Sequence, residues 1–128
     1  MVFDTWAWWE VLHATETGQK LASRYIGTAG CRVLTADLAL VELSAKLARD
    51  GRQREIHHAL TAVSSASEVV PVSTASAAAC GPLLVELRRG HNGASLADAV
   101  MLAVARTEGA RLISGDPCFA GQKDVSEA

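Results

Sequence analysis

Short apolar runs alternate along this chain with longer apolar or amphipathic stretches, and this alternation predicts its secondary structure. Strands are predicted at residues 1–3, 31–34, 68–72 and 112–114, with a short edge strand at 124–125. Helices are predicted at residues 5–17, 19–25, 38–50, 52–65, 73–89 and 95–105, the fifth of them broken or kinked near Gly81 and Pro82. Strands that alternate with helices are typical of a parallel sheet with helices on both faces, which is a three-layer α/β fold.

Length and composition are those of one globular domain. The chain has 128 residues, of which 49% are hydrophobic and 20% are charged, so residues 1–128 are predicted to form a single domain. No uncharged apolar run reaches about 18 residues, and no basic stretch precedes the first apolar residues, so neither a membrane span nor a signal peptide is expected. Cys31, Cys80 and Cys118 lie far apart without a metal-binding spacing. That pattern favours a reducing cytoplasm over a disulfide framework or a zinc site.

Two predicted strands are each followed within two residues by an aspartate. Asp4 comes after the first strand, and Asp116 stands between Gly115 and Pro117 in the turn that follows residues 112–114. Ligands of open parallel sheets bind in the crevice beyond the carboxyl ends of the strands. The two carboxylates are therefore expected to share an acidic pocket.

Two further acids lie early in apolar helices, and each has two interpretations. Glu42 could pair with Lys46 one turn further along the helix, or it could point into the acidic pocket. Asp98 could complete a capping box with Ser95, with aspartate in place of glutamate, or it could belong to the same pocket. The helix pattern alone leaves both alternatives open.

Four carboxylates in one pocket require a counter-charge, because otherwise some of them would take up protons. Asp4, Glu42, Asp98 and Asp116 offer oxygen ligands, and the chain lacks a histidine or cysteine set suited to zinc. These ligands favour Mg²⁺ or Mn²⁺. The reaction best suited to such a site is phosphodiester hydrolysis, in which the metal supplies water and neutralises phosphate charge.

All three tryptophans lie together on the first helix, as Trp6, Trp8 and Trp9. They could pack in the core and between subunits, or they could form a wall that stacks a base or holds a partner. As a surface, the cluster would suit a homodimer or a groove for a helix of a partner protein.

A basic cluster surrounds the junction between the third and fourth predicted helices. Its members are Arg49, Arg52, Arg54, His57 and His58. Such a cluster could bind phosphate, or it could be a solvated face. The formal net charge of -2 gives no basic excess, so charge alone does not predict nucleic-acid binding.

The order of four segments resembles a PIN domain, and in particular the VapC-type toxins of toxin–antitoxin pairs. The segments are Phe3-Asp4-Thr5, Leu40-Val41-Glu42-Leu43, Ser95-Leu96-Ala97-Asp98-Ala99 and Ser114-Gly115-Asp116-Pro117-Cys118-Phe119. The resemblance covers essentially the whole chain. It implies a parallel five-stranded sheet in the order 3-2-1-4-5, a metal-dependent ribonuclease acting on RNA, and a small antitoxin as partner.

The resemblance also implies roles for individual residues. The family's acidic quartet corresponds to Asp4, Glu42, Asp98 and Asp116, which would bind the metal and act in catalysis, with Thr5 and Ser114 as supporting hydroxyls. One alternative is a catalytically silent PIN-like module that only grips a protein partner. A phosphatase-like hydrolase with Asp4 as nucleophile is disfavoured, because residue 6 is Trp where a second carboxylate is expected and Lys123 is poorly placed.

Overall fold

One five-stranded parallel sheet forms the centre of the molecule in the computed structural model, which describes residues 1–126. The strands are β1 (Val2–Phe3), β2 (Leu34–Ala36), β3 (Glu68–Val70), β4 (Leu112–Ile113) and β5 (Val125–Ser126). They pair in the order β3-β2-β1-β4-β5. This confirms both the α/β class predicted from the pattern and the strand order implied by the resemblance.

Six α-helices cover the two faces of this sheet. They are α1 (Thr5–Leu12), α2 (Glu16–Tyr25), α3 (Asp37–Arg49), α4 (Ile56–Ala66), α5 (Thr74–Gly90) and α6 (Leu96–Thr107). Two short 3-10 turns, Gln53–Glu55 and Pro117–Phe119, complete the chain's helical segments within residues 1–126. None of the helices in this part of the chain has both the length and the apolar character that a membrane crossing needs.

The sheet divides the core into two apolar clusters, since successive strand residues point to opposite faces. Val2 packs with α5 and α6, whereas Phe3 packs with side chains from α1 to α4. In α6 every residue from 99 to 105 is buried, as its nearly uninterrupted apolar sequence predicts. Because α6 is held so firmly, its first turn presents a fixed surface beside the sheet.

The second strand lies further along the chain than predicted. The predicted strand at residues 31–34 includes Cys31 and Arg32, which are exposed, whereas the observed strand extends to Ala36. Thr35, just after the predicted strand, is a buried strand residue whose hydroxyl accepts a hydrogen bond from the Trp8 indole N–H at 3.0 Å. A buried indole N–H needs such a partner. This contact joins residues far apart in the chain, so the local sequence pattern could not predict it.

Gly18 lies between the first two predicted helices and was therefore expected to end the first of them. The structure contradicts this expectation. α1 already ends at Leu12, and a new helix begins at Glu16 with Thr15 as its N-cap. Gly18 is buried inside α2, where a Cβ atom would lie only 1.9 Å from the Glu10 carbonyl oxygen. Glycine is required there by the close approach of α2 to α1, and not by a turn.

A break or a kink was predicted at Gly81 and Pro82, and the break is wrong, because α5 continues through both residues. Pro82 lacks the N–H that would bond one turn back, which normally breaks or kinks a helix. Cys80, Leu83 and Leu87, on either side of it, are all buried in the core that α5 shares with α6. Tertiary packing therefore outweighs the local cost of the proline.

Candidate active site

A pocket of about 210 Å³ lies beside the ends of the central strands β1 and β4. Its lining residues are Asp4, Thr5, Trp6, Glu42, Lys46, Arg49, Asp98, Met101 and Asp116. The structure thus brings together all four acids singled out in the sequence. Whether they bind metal and catalyse a reaction stays a prediction.

Asp4 links β1 to α1 and is the most buried of these acids. Its side chain caps α1 by accepting a hydrogen bond from the Ala7 backbone N–H at 2.8 Å, and the residue is only 5% exposed. Burial raises the pKa of Asp4 to about 7, although hydrogen bonds from Ser114 and Ala7 partly oppose the shift. The negative charges of Asp116 and Asp98 raise this pKa further. The pocket therefore disfavours a full set of ionised carboxylates unless a cation joins them.

Glu42 reaches the pocket from α3 and is oriented by α1. The Thr5 hydroxyl donates a hydrogen bond of 2.6 Å to the Glu42 carboxylate. Lys46, the alternative partner, lies with its Nζ atom 4.5 Å from the centre of the Trp9 ring. None of the ion pairs within residues 1–126 joins Lys46 to Glu42. The structure therefore agrees with the second interpretation of Glu42, in which its side chain points into the pocket.

Asp98 satisfies both of its interpretations at once. The Ser95 backbone N–H donates to Asp98 Oδ2 at 2.7 Å, and the Asp98 N–H donates to the Ser95 hydroxyl at 3.2 Å. This is a complete capping box at the start of α6, and the same carboxylate lines the pocket. Helix capping thus orients Asp98 toward the other acids instead of competing with a role in the site.

Asp116 is held by its own turn after β4. Its carboxylate accepts a hydrogen bond from the Cys118 N–H at 2.9 Å, and its N–H donates to the Ser114 hydroxyl at 3.0 Å. Because β1 and β4 are neighbouring parallel strands, this turn lies next to Asp4. Ser114 is buried and Thr5 half-buried, and both contact the acidic residues, although their supporting role stays a prediction.

Cys118 is a member of the cluster that the sequence interpretation did not include. Its sulfur and one carboxylate oxygen each of Asp98 and Asp116 lie within 4.8 Å of one another, a spacing that could hold a metal ion. Burial, and then the neighbouring carboxylates, raise the pKa of the Cys118 thiol. The sequence offers one clue, its place two residues after Asp116 in the same turn. The absence of a metal-binding cysteine spacing pointed the other way.

The basic cluster does not act as a unit. Arg49 lines the pocket together with Lys46, which the sequence interpretation treated only as a partner for Glu42. Arg52 instead pairs with Glu55 and contacts His13. The remaining members, Arg54, His57 and His58, are exposed. Only the α3 end of the cluster is therefore placed to meet a ligand of the pocket.

The three tryptophans have three different surroundings. Trp8 is 1% exposed and belongs to the core, so it cannot form part of a docking surface without unfolding. Trp9 packs against His13, with ring centres 4.2 Å apart, and against Lys46. Trp6 is half-buried and lines the acidic pocket. The interpretation of all three as one binding wall is wrong, and only Trp6 faces the site.

Fold and site together define the class of this protein: a parallel α/β domain in the order 3-2-1-4-5, with an acidic pocket beside its central strands. The PIN domain family matches residues 1–123, and the chain belongs to that family. The resemblance drawn from the four sequence segments is therefore confirmed. A search of curated proteins finds no match.

Solved structures resemble the chain over nearly its full length. A toxin-antitoxin complex from Klebsiella pneumoniae is 21% identical, covers 98% of this chain and 94% of its own, and has a TM-score of 0.69. DNA-bound VapBC from Salmonella typhimurium is 16% identical, covers 99% and 95%, and has a TM-score of 0.76. Mycobacterium tuberculosis VapC20, a toxin that cleaves the sarcin-ricin loop, is 23% identical, covers 98% and 97%, and has a TM-score of 0.72. At these identities the likeness shows a common fold.

Proposed function

We propose that this protein is a metal-dependent endoribonuclease and the toxin of a toxin–antitoxin pair. The observation that carries the proposal is the convergence of four carboxylates, from the ends of two strands and from two helices, on one pocket. Membership of the PIN domain family supports a nuclease. The fold shared with VapC20, which cleaves the sarcin-ricin loop, supports RNA as the substrate.

The donor set of the pocket fits Mg²⁺ or Mn²⁺. Asp98 and Asp116 place carboxylate oxygens close enough to share an ion, and Asp4 and Glu42 add oxygen donors of the kind that these hard cations prefer. The pKa of Asp4 is raised mainly by burial and to a smaller extent by the charges of Asp116 and Asp98, and a bound cation would favour the ionised carboxylate. When bound, the ion would supply Lewis-acid chemistry, activating water and neutralising charge on the phosphate.

The chain's own contribution is to hold the carboxylates in fixed positions. Each accepts a hydrogen bond from a neighbouring group: the Ala7 N–H for Asp4, the Thr5 hydroxyl for Glu42, the Ser95 N–H for Asp98 and the Cys118 N–H for Asp116. Such pre-oriented groups need no reorganisation when substrate arrives.

The cations of α3 complement the acids by attracting the substrate. Lys46 and Arg49 lie four and seven residues after Glu42, which puts all three on one side of the helix, and all three line the pocket. RNA phosphates next to the cleaved bond would contact these two cations, so binding should weaken as salt concentration rises.

Cleavage by purified protein tests the proposal. Partner-free protein should cut structured RNA with Mg²⁺ or Mn²⁺ and stop when EDTA is added, whereas activity that survives chelation would contradict the metal mechanism. Asp98→Asn should lower the rate by more than the roughly 10- to 100-fold that loss of an outer-shell metal contact costs. Asp37→Asn is the matched control on an exposed acid at the start of α3, and it should cleave like the parent.

A protein partner is the second part of the proposal. The solved structures that resemble this chain include toxin-antitoxin complexes, which supports a small antitoxin as the partner. Mass spectrometry of protein that co-purifies with the chain would identify it. A homodimer is tested by light scattering over a range of concentrations, where a monomer at every concentration would contradict it. If the protein binds the antitoxin but cleaves no RNA, the alternative of a catalytically silent protein-interaction module would be favoured.

A further inference from the structure

A second and larger pocket adjoins the acidic one. It has a volume of about 500 Å³, and its lining includes Trp6, Thr17, Gly115, Asp116, Phe119 and Gln122. Trp6 and Asp116 line both pockets, so the two cavities meet along these residues. A molecule seated at the acids therefore has direct access to the second pocket.

Trp6 is held as a rigid wall where the pockets meet. A Cβ atom on Gly115 would lie 2.5 Å from Trp6 Cζ2 and 2.7 Å from Cη2, so the indole lies directly against the Gly115 backbone. Any side chain at position 115 would displace the ring. An aromatic ring fixed in this way presents a flat surface without losing much conformational entropy when a ligand binds.

The polar groups of the second pocket have a defined orientation. The Arg106 guanidinium donates a hydrogen bond of 3.0 Å to Gln122 Oε1. A guanidinium has only donors, so this contact fixes the Gln122 amide and leaves its NH₂ group as the part that a ligand can use. Asp116, which also lines this pocket, adds a carboxylate acceptor. A flat ring surface with a donor and an acceptor matches the shape and edge chemistry of a nucleobase.

We propose that the second pocket binds the base of the nucleotide next to the cleaved phosphodiester, with Trp6 as its stacking surface and Gln122 as a donor to its edge. The inference rests on the proposed nuclease function, because it places the phosphate of the same nucleotide at the acids. Trp6 and Gln122 are then positioning residues, and they select unpaired nucleotides, since a base within a duplex cannot lie against the indole.

Tryptophan fluorescence tests the pocket with probes that cannot be cleaved. Each of the four nucleoside 5′-monophosphates is titrated with Mg²⁺ present, and ribose 5-phosphate serves as the probe that has a phosphate but no base. We expect the monophosphates to quench parent fluorescence and to bind at least about fivefold more tightly than ribose 5-phosphate, as stacking on an aromatic ring predicts. Equal binding of ribose 5-phosphate would overturn the inference.

Variants then assign the effect to one ring. Trp6→Leu should lose the preference for a base and Trp6→Phe should keep part of it, with folding of both checked by circular dichroism. Trp9→Phe is the matched control, because Trp9 is also a half-buried residue of α1 but lines neither pocket. If Trp6→Leu and Trp9→Phe bind the monophosphates alike, the pocket does not bind the base. The same follows if Trp6→Leu weakens only antitoxin binding, since the pocket would then hold a partner's side chain.

Cleavage kinetics separate this inference from the nuclease proposal. In Trp6→Leu the KM for a single-stranded RNA should rise and its preference for the nucleotide beside the cut should relax, while Asp98→Asn loses the reaction itself. Cleavage that is normal in every Trp6 variant would contradict base binding and leave the nuclease intact. Base-dependent quenching in a protein that cuts no RNA would support base binding by the pocket and contradict the nuclease proposal.

Discussion

Asp4 both caps a helix and contributes a carboxylate to the acidic pocket. Its carboxylate caps α1 through the Ala7 N–H, and the same group lies buried at the acidic pocket. Asp98 repeats the arrangement at α6, where the capping box with Ser95 orients a pocket carboxylate. In both cases a residue with a good local explanation also lines the acidic pocket. A sequence pattern alone could not decide between the two.

The raised pKa of Asp4 predicts how stability depends on pH when no metal is present. The folded pKa is about 7, whereas an unfolded aspartate titrates near 3.9, so between these values the native state holds a proton that the unfolded state has lost. The free energy of unfolding should therefore fall as pH rises from about 4 to about 7, by up to about 4 kcal/mol from this group. Urea unfolding in EDTA across this range measures the slope.

Asp4→Asn provides the comparison for that slope. Asparagine is as good an N-cap as aspartate, so the start of α1 is preserved while the titrating group is removed. The variant should lose most of the decline in stability between about pH 4 and pH 7, and at neutral pH it should be at least as stable as the parent. Identical slopes in the two proteins would show that Asp4 ionises normally.

Among the features of the secondary structure, the helix boundaries were the ones that the sequence predicted least well. Gly18 suggested a helix end, and Gly81 with Pro82 suggested a break, yet each lies inside a continuous helix. Both errors have one cause, which is that glycine and proline carry strong local preferences that tertiary packing can override. The contact between Gly18 and Glu10 and the packing of α5 on α6 exist only in the folded chain.

The tight contact at Gly18 makes a prediction that runs against helix propensity. Alanine is normally favoured over glycine in a helix by about 1 kcal/mol, but here its Cβ would meet the backbone of Glu10. Gly18→Ala should therefore destabilise the protein by about 1–3 kcal/mol, the usual cost of overpacking. Gly90→Ala is the control, because Gly90 ends α5 in open space. Thermal or urea unfolding should find Gly90→Ala neutral or slightly stabilising, and an equal loss in both variants would contradict the packing explanation.

At the scale of the whole molecule, the parallel sheet is what assembles the site. Asp4 and Asp116 follow neighbouring strands, and α3 and α6 add Glu42 and Asp98 beside them. The alternation of strands and helices predicted the fold class, and four short segments were enough to identify the family. The position of Cys118 in the cluster had one clue in the sequence, its place two residues after Asp116, and the position of Trp6 between the pockets had none. Both depend on how distant elements pack, which leaves no periodic trace in the sequence.

A metal ion at this site would join four elements that are far apart in the chain, so its binding should stabilise the whole fold. A ligand that binds only the native state raises the free energy of unfolding by about 2.7 kcal/mol at 100 times its Kd. Thermal unfolding of the parent and of Asp37→Asn should therefore shift upward with Mg²⁺ or Mn²⁺, whereas Asp98→Asn should shift much less. In EDTA, Asp98→Asn should be nearly as stable as the parent, because asparagine can still accept the Ser95 N–H and one negative charge is removed. If Asp98 were only a capping residue, its replacement would lower stability equally with and without metal, and the melting temperatures of both proteins would rise alike.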